Sequence, residues 1–215
     1  MLRKTFRFAF RCLCLLMLSG ATPAFASPYD EAVSQLQQQW AIINYQMTGH
    51  DEREDAIITL KHAAIDLSKA YPNKADPVIL EAIIDTTKAE IDHNFSSLLL
   101  IQQAHDLLIQ ANKINPKALH GLGVASLGWL YFQAPKPPLS FGDKDLAKKY
   151  LERAIALNPN SLDTNYFYGR YLHEIGDDAK ARAVLTHALE TPVETNNEVA
   201  DEGRRAEIQE VLDSL

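Results

Sequence analysis

Two runs of residues carry the chemistry open to this chain. Asp163, Tyr166, Arg170 and His173 recur at three to four residues, the spacing of one face of a helix. Trp129, Phe132 and Gln133 share a face of an earlier helical stretch in the same way. Together they offer an aromatic wall beside an Arg and a His. A guanidinium suits a carboxylate or the C-terminus of a peptide, and aromatic rings suit an apolar body. This is binding chemistry, in which no covalent bond is made or broken. The alternative is packing: Trp129, Phe132 and Tyr166 lie under a proline-rich loop (Pro135, Pro137, Pro138, Leu139, Phe141) that must bury its own apolar residues against something.

Reacting groups are missing from the pattern. No G-x-S-x-G, H-E-x-x-H or phosphate-binding loop occurs, so no enzyme activity and no cofactor is expected. The seven His residues are scattered, none four residues from another, so no metal site is expected. Asp143-Lys144-Asp145 is too short a run for a calcium loop, and Asp143 reads as the N-cap of the next helix. Glu31, Asp51, Glu52, Glu54 and Asp55 lie near helix starts, where the helix dipole favours negative charge.

Residues 1–26 read as a cleavable signal peptide. Arg3, Lys4, Arg7 and Arg11 precede the short apolar run Cys12–Leu18, and Ala24-Phe25-Ala26 ends in small residues, so cleavage is expected after Ala26. No twin-arginine pair is present, and neither cysteine follows a small residue at the end of the apolar run, which argues against a lipoprotein. The expected location is the periplasm, with no membrane insertion once the signal is removed. The chain has a net charge of −7, and loss of the four leader cations makes the remainder four units more acidic. That balance argues against nucleic acid and against anionic membrane surfaces. Both cysteines belong to the leader, so residues 27–215, read as a single domain, must be held by their core without disulfides.

The elements that position these residues are all helical. Ser27-Pro28 and Asp76-Pro77 pair a capping residue with a proline suited to a first helical position. Ala32, Leu36, Trp40, Ile43 and Met47 mark the first helix face, and Ala56, Ile57, Leu60, Ala63, Ala64 and Leu67 the second. Breaks at Thr48-Gly49-His50, Tyr71-Pro72-Asn73, Asp92-His93-Asn94, Asn115-Pro116, Asn158-Pro159-Asn160 and Gly176-Asp177-Asp178, with the loop from about Gln133 to Phe141, divide the chain into eight helices in four hairpins. A last helix, from about Asn197 to Leu215, shows one apolar face and a polar face of Glu202, Arg204, Arg205, Glu207 and Glu210. That is the profile of a terminal cap with one side in water.

The hairpins repeat. Tyr168-Gly169, Leu172, Ala181, Leu185, Ala188 and Pro192 match Leu127-Gly128, Tyr131, Ala147, Leu151, Ala154 and Pro159. Ala104, Leu108, Ala111 and Pro116 continue the pattern, and Ala56, Leu60 and Ala63 are its expected counterparts in the first hairpin. Small residues at these points let two helices approach closely. The pattern resembles the tetratricopeptide repeat (TPR), which implies an all-α solenoid of four hairpins plus a C-terminal capping helix. Ala147 lies sixteen residues after Tyr131, whereas Ala181 lies nine after Leu172; the third hairpin therefore carries a seven-residue insertion. Its prolines predict a stiff loop.

Residues 119–210 are similar to a group of exported bacterial TPR proteins with a P-x-x-P-L/I-x-F-G-D loop, here Pro135 to Asp143, and a closing G-R-R-x-E-I helix, here Gly203 to Ile208. They are similar more loosely to the TPR component of tripartite ATP-independent (TRAP) transporters. In such arrays the first helix of each hairpin lines a concave groove. The resemblance thus implies that Trp129, Phe132, Gln133, Asp163, Tyr166, Arg170 and His173 line it. The expected function is recruitment of a protein or peptide partner. The alternative is binding of a small organic solute for a TRAP-type system, which a pocket closed by the proline loop would favour. A homo-oligomer is left open.

Overall fold

The computed structural model describes residues 27–92, 94, 97–193 and 196–215. The leader assigned to residues 1–26, and His93 in the break after Asp92, lie outside them. Among the described residues there are nine α-helices and no strand: α1 (Pro28–Tyr45), α2 (His50–Ala70), α3 (Asp76–Asp92), α4 (Ser97–Ile114), α5 (Leu122–Gln133), α6 (Lys144–Leu157), α7 (Leu162–Glu174), α8 (Asp178–Leu189) and α9 (Glu198–Ser214). Helices α1/α2, α3/α4, α5/α6 and α7/α8 pair as hairpins stacked in chain order. The fold is the expected all-α helical-hairpin solenoid. Among the described residues, no helix is long and apolar enough to cross a membrane.

Local chemistry starts the helices where capping residues stand. Ser27 Oγ accepts from the Asp30 backbone N–H at 3.1 Å, and the Asp30 carboxylate accepts from the Ser27 backbone N at 3.3 Å. This capping box satisfies donors that a helix start leaves free. Asp143 Oδ1 accepts from the backbone N–H groups of Asp145 and Leu146, each at 2.9 Å, and so begins α6.

Packing within the last three hairpins follows the small–large–small triplets. Ala104/Leu108/Ala111, Ala147/Leu151/Ala154 and Ala181/Leu185/Ala188 are all fully buried. Opposite them, a Cβ added to Gly128 would lie 2.8 Å from Leu151 Cγ, and one added to Gly169 would lie 2.5 Å from Leu185 Cγ. Neither contact leaves room for a methyl group. The first hairpin differs from expectation. Ala63 is exposed and Ala56 half-buried, while Ile57, Leu60 and Ala64 face the core.

Two further expectations are corrected. The polar face of α9 does not simply meet water: Asp201 and Arg204 are buried, and α9 packs against α1 as well as α7 and α8. The last helix thus reaches the first and closes the array on itself, because curvature accumulates from hairpin to hairpin. The inserted loop lies outside the ring. Its ends are tied by Gly142 N–H to Pro135 O (2.8 Å) and Asp143 N–H to Tyr131 O (3.0 Å). Phe141 stacks on His105 of α4 with ring centres 4.0 Å apart, while Leu139 is 84% exposed and buries nothing.

Candidate functional site

Closing the array turns its concave face into a chamber of about 680 Å³, walled mainly by α1, α3, α5, α7 and α9. This is within the range of small-ligand sites. Each wall helix presents the side opposite its hairpin contact. Position in the helix therefore decides which residues reach the interior: Trp40, Asn44 and Tyr45 from α1, Trp129 and Gln133 from α5, and Asp163, Tyr166 and Arg170 from α7.

Arg170 lies over the Trp129 ring, its Cζ 4.4 Å from the ring centre, and donates from Nη1 to the Tyr166 hydroxyl at 3.1 Å. No carboxylate of a described residue is within ion-pair distance of it. Its neighbour Arg204 is in the opposite situation. Arg204 Nε donates to Asp163 Oδ1 at 2.7 Å and Nη1 donates to Glu207, while the guanidinium lies 4.3 Å from the centre of the Tyr166 ring and 5.3 Å from that of Phe167. Burial alone would lower the pKa of Arg204; Asp163, Tyr45 and Glu207 overcome that and hold it above its ordinary value.

The tyrosines on the wall are kept neutral. Burial raises the pKa of Tyr166, Glu207 adds to the rise, and Arg204 and Arg170 oppose it. Tyr45 is likewise pushed well above its ordinary value by burial, against the pull of Arg204 and with the help of Glu207. Its hydroxyl donates to Glu207 Oε2 at 3.2 Å, joining α1 to α9. At the rim, Leu119 and His120 adopt left-handed backbone angles (φ 43° and 57°) just ahead of Gly121 (φ 86°).

Of the residues predicted to line the groove, Trp129, Gln133, Asp163, Tyr166 and Arg170 are on the chamber wall. Phe132 and His173 are not. Phe132 turns into the core against Tyr171, with the Lys144 ammonium 3.4 Å from its ring centre. His173, near the end of α7, pairs through Nδ1 with Asp178 at 2.9 Å. Pro135, Pro137, Pro138, Leu139 and Phe141 contribute nothing to the wall, so Trp129 and Tyr166 face the chamber rather than the underside of the loop. Sequence reasoning missed the contribution of α1 and α9: Trp40, Tyr45, Arg204 and Glu207. The available signal was Gly203 in an otherwise polar helix, a mark of close approach. Among the described residues, no group of three or more His, Cys, Asp or Glu side chains is placed to hold a metal ion.

Residues 139–161, covering the end of the inserted loop, α6 and the turn after it, match the family model for the tetratricopeptide repeat. No curated protein matches the chain. Repeats of this type generally mediate protein–protein interaction, which supports a scaffold role. The protein is an all-α helical-hairpin solenoid that carries a tetratricopeptide repeat.

Proposed function

We propose that the protein is an exported, non-enzymatic binding module that recruits a peptide or protein partner on its concave face. One observation carries this reading. Arg170 is held on Trp129 and hydrogen-bonded to Tyr166, yet faces the chamber with no carboxylate partner among the described residues. A guanidinium fixed in this way is prepared for an incoming acid group, and the aromatic wall for the apolar body beside it. The periplasm is the compartment in which the leader at residues 1–26 would deliver it.

A second reading has an observation of its own. Contact of α9 with α1 closes the ring around the concave face, which favours a small organic solute and a role as accessory to a TRAP-type membrane system. Photo-crosslinking separates the two. A crosslinking residue at Gln133, on the chamber wall, is compared in the native cell with one at Lys148 on the exposed side of α6. A protein or peptide adduct from position 133 alone supports the first reading. Adducts from neither position, with a small molecule retained in native mass spectrometry, support the second.

A further inference from the structure

The chamber wall carries two opposite poles, one on either side of Tyr166. On its hydroxyl side Arg170 carries a positive charge with no carboxylate partner among the described residues. On its ring side one guanidinium, Arg204, is shared by two carboxylates, Asp163 and Glu207. That cluster therefore retains one formal negative charge. Its guanidinium is sequestered, with the Arg204 side chain 10% exposed, while Asp163 and Glu207 stay open at 36% and 30%. Tyr166 lies between the poles: its hydroxyl meets Arg170 and its ring face carries Arg204.

We propose that the chamber takes a free peptide of about three residues, held by both of its charged ends. The C-terminal carboxylate pairs with Arg170, and the N-terminal ammonium meets Asp163 and Glu207. The proposal rests on the concave-face binding reading and names the ligand class for it. Length follows from helix geometry. The backbone positions of Asp163 and Arg170, seven residues apart on α7, are separated by about 10 Å along the axis at ~1.5 Å per residue, which sets the scale of the ligand. An extended chain spans roughly 3.3–3.6 Å per residue, so three residues bridge that gap. A single amino acid is too short to reach both poles, and a dicarboxylate would place a second negative charge against Asp163 and Glu207.

The rest of the wall fits peptide groups. Gln37, Asn44 and Gln133 line the chamber and make no side-chain hydrogen bond to any described residue. Each carboxamide offers both a donor and an acceptor, which is what a peptide bond needs. Trp129, Tyr166 and Trp40 supply apolar surface for the side chains between the ends.

The chain has two tryptophans, Trp40 and Trp129, and both face the chamber, so intrinsic fluorescence reports binding directly. The purified protein is titrated with trialanine, N-acetyl-trialanine, trialanine amide, hexaalanine and succinate. Trialanine is expected to shift the emission with saturation. Blocking either end is expected to weaken binding about tenfold or more, the scale of one lost charged hydrogen bond. In Arg170→Gln, free and amidated trialanine should bind alike, while acetylation still weakens binding. Equal binding of free and blocked peptides, tighter binding of hexaalanine, or tighter binding of succinate overturns the two-pole proposal but leaves concave-face binding standing. No response to any peptide also overturns it, and crosslinking at Gln133 then decides the broader reading by itself. If Arg170→Gln does not fold, the blocked-peptide series on the unaltered protein remains decisive.

Discussion

Gly203 of α9 lies against the ring of Tyr45 of α1, so close that a Cβ on Gly203 would fall 2.4 Å from Tyr45 Cγ and Cδ2. This contact joins the last helix to the first across most of the chain. Glu207, one turn on, accepts from the Tyr45 hydroxyl, and Gln38 Nε2 donates to Asn196 O at 2.9 Å alongside. Whether the concave face is a chamber or a groove depends on this seam.

Gly203→Ala is expected to cost about 1–3 kcal/mol, the usual scale for forcing extra volume into a tight contact. Gly203→Leu should push α9 off α1 while the hairpins stay folded. Small-angle scattering should show a larger radius of gyration with unchanged helical circular dichroism. An unchanged radius would mean that the seam accommodates the side chain and that Gly203 does not control closure.

Arg204 should matter more than its place in a polar helix suggests. Arg204→Met leaves Asp163 and Glu207 facing each other without their shared cation. A fully buried pair broken in this way loses ~3–5 kcal/mol; here about 2–3 kcal/mol is expected, because both carboxylates keep access to water. Chemical denaturation at pH 7 checks the size of the loss.

A second ion pair joins α2 to α3. Asp85 of α3 is 1% exposed and meets Lys61 Nζ at 2.6 Å. Burial raises the Asp85 pKa, and Lys61 opposes that rise only in part. Lys61→Met should therefore cost about 3 kcal/mol at neutral pH and raise the pKa further. A folded-state pKa above the unfolded one means stability is lost as pH rises through the folded value. The variant should regain more stability on acidification than the parent does, because its Asp85 pKa is raised further. Thermal melts from pH 7 to pH 4 test this, and a pH-independent deficit would rule it out.

The inserted loop should separate into an anchor and a tip. Phe141→Ala removes the ring stacked on His105 and packed edge-on to Tyr131, at an expected cost of about 2 kcal/mol for a half-buried aromatic. Leu139→Ser, at a side chain 84% exposed, should fall within ~0.5 kcal/mol of the parent. Neither should change binding in the chamber, since no loop residue lines it. A binding defect in Leu139→Ser would return the loop to the functional surface.

The helices, their caps and the hairpin contacts were legible in the sequence because each depends on residues within a few turns of one another. Ser27 with Asp30, Asp143 ahead of Lys144, and the triplet Ala147/Leu151/Ala154 opposite Gly128 all announce themselves by spacing. The same periodicity placed Trp129, Tyr166 and Arg170 on one side of their helices. It misplaced Phe132 and His173, which sit near helix ends, where a turn of backbone or a neighbouring Asp178 decides direction. It was silent about the partners across the ring. Arg204 and Glu207 look like solvent-facing residues of a terminal helix, and no local pattern links them to Tyr45 or Asp163. Their inward placement comes from small rotations between hairpins that add up until α9 meets α1. Sequence periodicity alone determined which face each helix turns inward; only the accumulated curvature of the tertiary structure decided that those faces close into a ring around one chamber.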